Sequence, residues 1–300
     1  MYPNLFDYYR PESLDEAVAL LAQHGEDARP LAGGQSLIPL MKLRVANPTV
    51  LVDLNRLRGL AYVERRHGTL ALGALARHAD VEAAAPVQAA LPIMLDAARV
   101  VGDAQVRNLG TVAGALAEAD PGGDWGPVLL ALNGEVQCRG PRGERTIAAG
   151  DLFTDYFTTA LAPDELITEV RVPAAAGGAG GLANGGAYLK LERRAGDFAV
   201  VGVAVQVALG ADGTCQEVGI GVSGAGATPI KPAAAEAALH GQPLDAATID
   251  EAARLIDAAI DPWTDRRAPA EYRRAMVGVY FRRALALARE RAQATGAPSS

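Results

Sequence analysis

The chain has 300 residues, of which 50% are hydrophobic, 21% charged and 5% aromatic. This composition excludes a disordered chain, a coiled coil and a collagen-like repeat, and the length predicts about two domains. The 28 basic and 35 acidic residues give a net charge of −7, which is the opposite of the bias of a protein that binds phosphate backbones, so no nucleic-acid partner is expected.

The first part of the chain alternates short helices and strands. Ser13 and Glu16 have the spacing of a capping box and predict a helix over 13–24 that ends at Gly25. The patterns that follow predict, in chain order, a strand at 28–31, a helix over 36–44, strands at 49–53, 60–65 and 69–73, helices over 77–84 and 92–101, a loop-rich stretch at 107–126, a helix over 125–132, a hairpin with its tip at 141–143 and a strand at 166–172.

Residues 174–186 are almost entirely alanine and glycine, a composition that predicts a linker or mobile loop, and we place the main domain boundary there. The patterns beyond it predict strands at 188–191, 198–209 and 215–222 and helices over 232–240, 246–260 and 269–292. The predicted order is therefore a mixed α/β portion, a linker, and three strands covered by three helices.

The chain offers little chemistry of its own. Its two cysteines, Cys138 and Cys215, are far apart and belong to no Cys/His cluster, so this chain alone is not expected to ligate an iron–sulfur cluster or a structural zinc. The histidines show no ligand spacing and are expected to be surface or turn residues; they are His24, His67, His78 and His240. The lack of recognisable acid–base machinery favours a reaction that a cofactor carries.

No stretch reaches the roughly 18 apolar residues that a membrane span needs, and the N-terminus lacks the pattern of a signal peptide. With no disulfide framework in the sequence, we expect a cytoplasmic protein.

Two small-residue loops are candidate ligand sites. Residues 32–36 read Ala-Gly-Gly-Gln-Ser between a predicted strand and a predicted helix, and residues 107–115 read Arg-Asn-Leu-Gly-Thr-Val-Ala-Gly-Ala. Glycines allow close approach of a ligand to the backbone, and consecutive N–H groups suit a phosphate. Each segment alone is also consistent with an ordinary turn or surface loop. Together, and without a Walker or Rossmann pattern, they favour a dinucleotide held from two sides.

Residues 219–224 match GxGxxG and follow a predicted strand. A Rossmann site needs a helix that opens at once and a further strand, whereas residues 228–232 (Thr-Pro-Ile-Lys-Pro) intervene and only helices follow. We interpret this match as a glycine-rich strand exit.

Residues 32–42, AGGQSLIPLMK, resemble the AGGxSLxPxMK stretch of the FAD-binding medium subunits of molybdenum hydroxylases of the carbon monoxide dehydrogenase and xanthine dehydrogenase type. Residues 107–114 resemble the second motif of that family, RNxGTxGG, and the segments 272–274 and 282–285 resemble its C-terminal helix. The resemblance implies an α+β fold: a two-subdomain FAD-binding domain of the PCMH or vanillyl-alcohol-oxidase type at 1–175 (subdomains about 1–56 and 57–175), followed by a C-terminal domain at 176–290 with a three-stranded antiparallel sheet and a helical bundle.

The resemblance also implies roles for individual residues. The FAD pyrophosphate would lie against 32–36 and 111–115, Asp124 would hold the ribose end, and Ile167 and Lys190 would lie beside the flavin ring. The implied cofactor-binding residues are Ala32, Gly33, Gly34, Gln35, Ser36, Thr111, Gly114, Ala115, Asp124, Ile167 and Lys190. No catalytic residue and no metal ligand is assigned to this chain.

Three residues depart from the family pattern. Ala113 adds a methyl group where the backbone would approach a phosphate, Ala115 lacks a side-chain hydrogen bond, and Gln35 stands where histidine is common. We expect FAD to bind, less tightly than in the family.

The function that the resemblance implies is electron transfer. Substrate would be oxidised at a molybdenum cofactor on a large subunit, and electrons would pass through two [2Fe–2S] clusters on a small subunit to FAD on this chain and then to an external acceptor. The implied assembly is a dimer of heterotrimers. Two alternatives stay open: a stand-alone FAD-dependent oxidoreductase and an FAD-free assembly subunit.

Overall fold

The computed structural model describes residues 2–174 and 182–296, whose strands form four sheets. The first sheet contains β1 (Asp7–Tyr9), β2 (Ala28–Leu31) and β3 (Val50–Asp53). It is parallel, in the order β1-β3-β2, and is covered by α1 (Leu14–His24), which Ser13 caps by accepting the N–H of Glu16. The mostly exposed strand β1 was not predicted, because its structure depends on pairing with the distant β3.

The second sheet is antiparallel. Its strands are β4 (Val63–Arg66), β5 (Thr69–Gly73), β6 (Glu135–Gly140), β7 (Gly143–Ala148) and, later in the chain, Leu166–Pro173. A small hairpin, β8 (Phe153–Asp155) and β9 (Thr158–Thr159), precedes that last strand, which is therefore β10. The order across the sheet is β4-β5-β10-β6-β7, so β10 lies at its centre. The predicted hairpin at 141–143 joins β6 to β7.

Nine α-helices accompany these strands within residues 2–174, α1 included. The others are α2 (Leu37–Lys42), α3 (His78–Ala83), α4 (Ala85–Ala90), α5 (Pro92–Val100), α6 (Ala104–Leu109), α7 (Val112–Glu118), α8 (Trp125–Ala131) and the short α9 (Ala149–Leu152).

The prediction of a loop-rich stretch at 107–126 was wrong, because α7 and the end of α6 lie in it. Side-chain caps begin both helices: Asp103 accepts the N–H of Val106 at 2.8 Å, and Thr111 accepts the N–H of Gly114 at 3.0 Å. Leu116, in α7, is buried in the core of this part of the chain. Capping and burial of one face outweigh the low helix propensity of the glycines.

The third sheet contains β11 (Ala183–Leu191), β12 (Val201–Leu209) and β13 (Cys215–Ser223), in that order and antiparallel. The helices that follow are α10 (Ala233–Leu239), α11 (Ala246–Ala259) and α12 (Ala270–Gly296). The helix α12 packs on β11 and β12, and a second hydrophobic core forms between this sheet and the three helices. The predicted fold class, α+β with a three-stranded antiparallel sheet and helices at its end, is confirmed.

The predicted linker at 174–186 is wrong at its C-terminal end, because β11 begins at Ala183. Gly185 explains why this small-residue segment can form a strand. A Cβ atom there would lie 2.1 Å from the carbonyl oxygen of Ala288, so the missing side chain lets α12 contact the strand backbone. Residues 175–181 of the predicted linker lie outside the described residues.

The GxGxxG match is part of a packing interface. Gly219 and Gly221 lie inside β13 rather than at its exit, and a Cβ atom on either would lie 1.9 Å from a carbonyl oxygen of α8, that of Ala131 or of Pro127. All seven residues of α8 are buried. The glycines therefore let a helix of the first part of the chain pack directly on the third sheet.

We expect Gly221→Ala to lower the free energy of unfolding by about 3 kcal/mol, the upper range for an overpacked core, because the contact is with backbone that cannot rotate away. Urea denaturation followed by circular dichroism measures the change. The matched control is Gly150→Ala. Gly150 is an exposed helical glycine at which an added Cβ atom would meet nothing within 4 Å. We expect this substitution to leave the free energy of unfolding unchanged or to raise it slightly. Equal stability of the two variants would contradict the packing role.

Candidate functional site

The two loops predicted to hold a dinucleotide lie in contact. A Cβ atom on Gly33 would be 2.4 Å from the carbonyl oxygen of Leu109 and 2.6 Å from the Cα of Gly110. Gly34 has a φ of +70°, a conformation that favours glycine. Residues 32–36 are half-buried, Gly114 is exposed, and residues 110–113 between the contact and Gly114 are buried. We call residues 32–36 together with 109–115 the loop cleft.

Backbone pairing holds the second loop beside the end of β5. The N–H of His78 donates to the carbonyl of Gly110 at 3.1 Å, and the N–H of Val112 donates to the carbonyl of Ala76 at 3.3 Å. Arg77 and Thr111 form the bridge between these two bonds. The loop is therefore positioned by the second sheet and by the cap of α7, before any ligand is present.

Side chains add contacts within the first loop and from it to α7. The side-chain amide of Gln35 donates to the carbonyl of Gly33 at 3.2 Å. Ser36 stands at the N-cap position of α2 but makes no side-chain bond to that helix. Burial raises the pKa of Glu118 in α7, the hydroxyl of Ser36 opposes the shift, and the nearby Asp120 adds to it. Glu118 was not among the predicted site residues.

The two alanines that depart from the family pattern face the protein interior. Ala113 is 4% exposed and belongs to the hydrophobic core, and Ala115 is half-buried against the same core. The methyl group of Ala113 therefore lies in the core. Its burial argues against the expectation that it adds bulk where a phosphate approaches, and that expectation stays a prediction.

Asp124 and Lys190 are brought together as an ion pair. Their carboxylate and ammonium groups are 3.1 Å apart, and the side chains are 8% and 2% exposed. The hydroxyl of Tyr188 donates to the other carboxylate oxygen at 2.7 Å, and Lys190 also donates to the carbonyl of Val100 at 3.0 Å. Asp124 precedes α8 and Lys190 lies in β11, so the pair joins the first part of the chain to the third sheet.

Ile167 lies in the central strand β10, paired with Cys138, and is 7% exposed. A bulge follows it at Thr168, whose carbonyl accepts the N–H of Ala74 at 2.9 Å. The irregularity therefore lies where β10 meets the segment that leads from β5 into Arg77.

His78 is buried, contrary to the expectation that each histidine is a surface or turn residue. It is 3% exposed and lies nearly parallel to Trp125, with ring centroids 5.8 Å apart, and its Nδ1 accepts the indole N–H at 3.1 Å. Burial, with the positive charges of Arg107 and Arg77, lowers the pKa of His78 to about 4. The neutral ring thus keeps an acceptor for the tryptophan at neutral pH. An isolated histidine gives no signal of such a partner in the sequence.

Family comparison assigns the chain. Residues 4–175, which hold both loops of the cleft, match the model described as "FAD binding domain in molybdopterin dehydrogenase". The chain belongs to this flavoprotein family. Residues 186–288 match the model described as "CO dehydrogenase flavoprotein C-terminal domain". The resemblance read from the two motifs, and FAD as the cofactor of this family's domain, are thereby confirmed.

Relatives of this flavoprotein extend over nearly the whole chain. The carbon monoxide dehydrogenase medium chain of Afipia carboxidovorans is 39% identical over 293 residues, covering 98% of this chain and 100% of the relative. The alpha subunit of the 6-hydroxypseudooxynicotine dehydrogenase complex of Paenarthrobacter nicotinovorans is 38% identical over 295 residues, 98% of each chain. The prediction of an oxidoreductase subunit is confirmed by these relatives.

Solved structures give the same result for the flavoprotein's fold. A chain of Cu,Mo-CO dehydrogenase matches with a TM-score of 0.93 and 39% identity, covering 97% of this chain and 100% of the other. A chain of quinoline 2-oxidoreductase from Pseudomonas putida 86 matches with a TM-score of 0.88 and 28% identity, covering 99% and 100%. Within residues 2–174 and 182–296, no helix has both the length and the apolar character needed to cross a bilayer.

The pH dependence of stability tests the buried pair. Burial raises the pKa of Asp124 from 3.8 to about 6, against the opposing effects of Lys190 and Tyr188. A raised pKa means that the folded chain binds this proton more tightly than the unfolded chain, so the contribution of Asp124 to stability is lost as the pH rises toward 6. In Asp124→Asn this loss is absent.

We therefore expect the unfolding free energy of Asp124→Asn, relative to the unaltered protein, to rise between about pH 4 and pH 7. Urea denaturation at several pH values measures it. A relative free energy that falls over this range would show that Lys190 holds the pKa of Asp124 below its ordinary value.

Proposed function

We propose that this flavoprotein is the electron-transfer subunit of a heteromeric molybdenum-containing dehydrogenase. The observation that carries the proposal is the loop cleft, two glycine-containing loops in backbone contact within the FAD-binding domain. When bound, FAD would supply the redox chemistry that links [2Fe–2S] clusters on a partner subunit to an external acceptor. The chain's own residues bind and orient the cofactor, and none is assigned an acid–base role.

The loop cleft fits a pyrophosphate. Gly33 lets the two loops meet backbone to backbone, Gly114 is exposed, and the methyl group of Ala113 lies in the core. Backbone N–H groups and the hydroxyls of Ser36 and Thr111 would donate to phosphate oxygens. The residues that we propose to contact FAD are Ala32, Gly33, Gly34, Gln35, Ser36, Thr111, Gly114, Ala115, Asp124, Ile167 and Lys190.

Asp124 and Lys190 are proposed to act at the ribose end and beside the flavin ring. Since the two side chains already bond each other, their ion pair holds β11 next to the start of α8. Only the small exposed fraction of each side chain is open to the cofactor.

The iron–sulfur clusters and the molybdenum cofactor are proposed to lie on a small and a large partner subunit, in a dimer of heterotrimers. Two cysteines are too few for the four thiolates of a [2Fe–2S] cluster. Both are buried, and burial raises the pKa of each thiol to about 11. Free cysteines are compatible with a reducing compartment, and we propose a cytoplasmic location.

We infer that the FAD-binding domain spans about 1–175, with subdomains of about 1–56 and 57–175, and the C-terminal domain about 176–290. The family matches at 4–175 and 186–288 support this division. The first subdomain would hold the parallel sheet, which ends at Asp53, and the second the sheet that begins at Val63.

Purification from the native organism separates this function from its two alternatives. We expect flavin and iron–sulfur absorbance in the visible spectrum, with one smaller and one larger subunit on a denaturing gel. Flavin on a lone chain that turns over a substrate would instead establish a stand-alone oxidoreductase. A complex with iron–sulfur but no flavin absorbance, or a colourless lone chain, would establish an FAD-free assembly subunit.

Adding one methyl group at Gly33 tests whether the loop cleft binds FAD. Gly33→Ala would place a Cβ atom against the backbone at Leu109 and Gly110, so the loops must separate, and we expect retention of FAD to be lost. Flavin absorbance after gel filtration measures retention, and thermal unfolding of the FAD-free protein checks that the fold persists. Gly150→Ala is the control and should keep its flavin. Normal flavin content in Gly33→Ala would overturn the pyrophosphate assignment.

A further inference from the structure

A chain of hydrogen bonds joins the two loops of the cleft through side chains that the family motifs do not include. The side-chain N–H of Asn55 donates to the carbonyl of Ala32 in the first loop at 2.9 Å. One guanidinium nitrogen of Arg77 donates to the amide oxygen of Asn55 at 2.5 Å, and the other donates to the carbonyl of Leu109 in the second loop. Asn55 and Arg77 thus connect the backbone of one loop to that of the other.

The carboxylate of Asp53 holds Asn55 in place. Asp53, which is 5% exposed at the end of β3, accepts both the backbone N–H of Asn55 at 2.9 Å and its side-chain N–H at 2.6 Å. Burial alone would raise the pKa of Asp53, but hydrogen bonds from Tyr8 and Asn55 and the charge of Arg10 hold it below its ordinary value. An ionised carboxylate therefore fixes the amide that faces Ala32 and Arg77.

Arg77 is fixed as well. Its backbone pairs with Thr111, and its N–H donates to the side chain of Asp80 at 2.9 Å, which begins α3. The guanidinium is a rigid planar fork whose two nitrogens here meet acceptors on different segments of the chain. A lysine ammonium at the end of a flexible chain does not reproduce that geometry. Two anchored side chains that both bond loop carbonyls set the separation of the loops.

We propose that Arg77 and Asn55 are a positioning pair that preorganises the loop cleft for FAD. The inference rests on the proposed function, since it gives these residues a role only if the cleft binds the cofactor. The pair acts through the loop backbone: its side-chain donors hold the carbonyls of Ala32 and Leu109, which fixes the position of one loop relative to the other. It also places a permanent positive charge beside the loops proposed for the pyrophosphate.

The test is a double-mutant cycle on the dissociation constant of FAD. Flavin-free full-length chain is titrated with FAD, and binding is followed by flavin fluorescence for Arg77→Ala, Asn55→Ala and the double variant. Each single variant should weaken binding about ten- to a hundredfold, the loss that one hydrogen bond to a charged group accounts for. The double variant should match the singles, because removing either side chain already breaks the bridge.

Two conservative variants separate positioning from charge and from general stability. Arg77→Lys keeps the charge and loses the fork, so it should not restore binding. Asn55→Asp keeps an acceptor for Arg77 but loses the donor to Ala32, so it should weaken FAD binding as Asn55→Ala does. The unfolding midpoint of flavin-free Arg77→Lys should stay close to that of the unaltered chain, whereas a merely structural role would move it in step with affinity. Asn55→Asp also sets a second carboxylate against that of Asp53, so its lower affinity is compared with that of Asn55→Ala and not with its midpoint.

The matched control is Arg56→Ala, which removes an exposed arginine on the turn after Asn55 whose ionic partner, Glu12, lies 3.8 Å away. Its FAD affinity should be unchanged. Unaltered affinity in Arg77→Ala, additive losses in the double variant, or full rescue by Arg77→Lys would each overturn the positioning role. Failure of the unaltered chain to bind FAD would overturn the proposed function itself. If Arg77→Ala does not fold, the two Asn55 variants decide.

Discussion

The contact of Gly33 with the backbone of residues 109–110 is the constraint on which the site depends. It brings a loop of the parallel sheet against a loop that the second sheet positions, and neither sheet contains both. Everything that holds the second loop, from the backbone pairing at Ala76 and His78 to the Thr111 cap of α7, keeps that contact in one place. Hydrogen-bonding groups that are fixed before a ligand arrives cost less entropy to order when it binds.

The same device, backbone packed against backbone where side chains are absent, recurs away from the site. Gly185 lets α12 pack closely on β11, and Gly219 and Gly221 let α8 pack closely on β13. With only 5% aromatic residues, the chain fills its interior mainly with small and branched aliphatic side chains. Close approach of helices and strands supplies the dispersion contacts that larger side chains would otherwise provide.

The sequence was informative where the signal is local. The loops at 32–36 and 107–115 could be recognised because glycine, serine and threonine occur at fixed spacings, and the hairpin tips and long helices follow from turn residues and periodicity. The start of α7 was missed because glycine and alanine are frequent around its cap, Thr111, so propensity favoured a loop.

Other features depend on partners that are distant in sequence. Asn55 and Arg77 bond carbonyl oxygens, which any residue could supply, so nothing in the sequence marks those acceptors. Asp124 and Lys190 were each predicted from a motif position, but the ion pair between them exists only because α8 and β11 meet. The glycines of β13 matched a ligand-binding pattern although their role is packing.

The helix α8 belongs by sequence to the FAD-binding match, yet one side of it lies on the glycines of β13 and Asp124 beside it pairs with β11. A polypeptide ending between β10 and β11 would expose that face and leave the Asp124 carboxylate without its lysine. The two parts matched by the family models therefore share a packed interface that each needs to cover its buried groups. During synthesis, the exposed side of α8 and the Asp124 carboxylate would be covered only after the third sheet had emerged and docked.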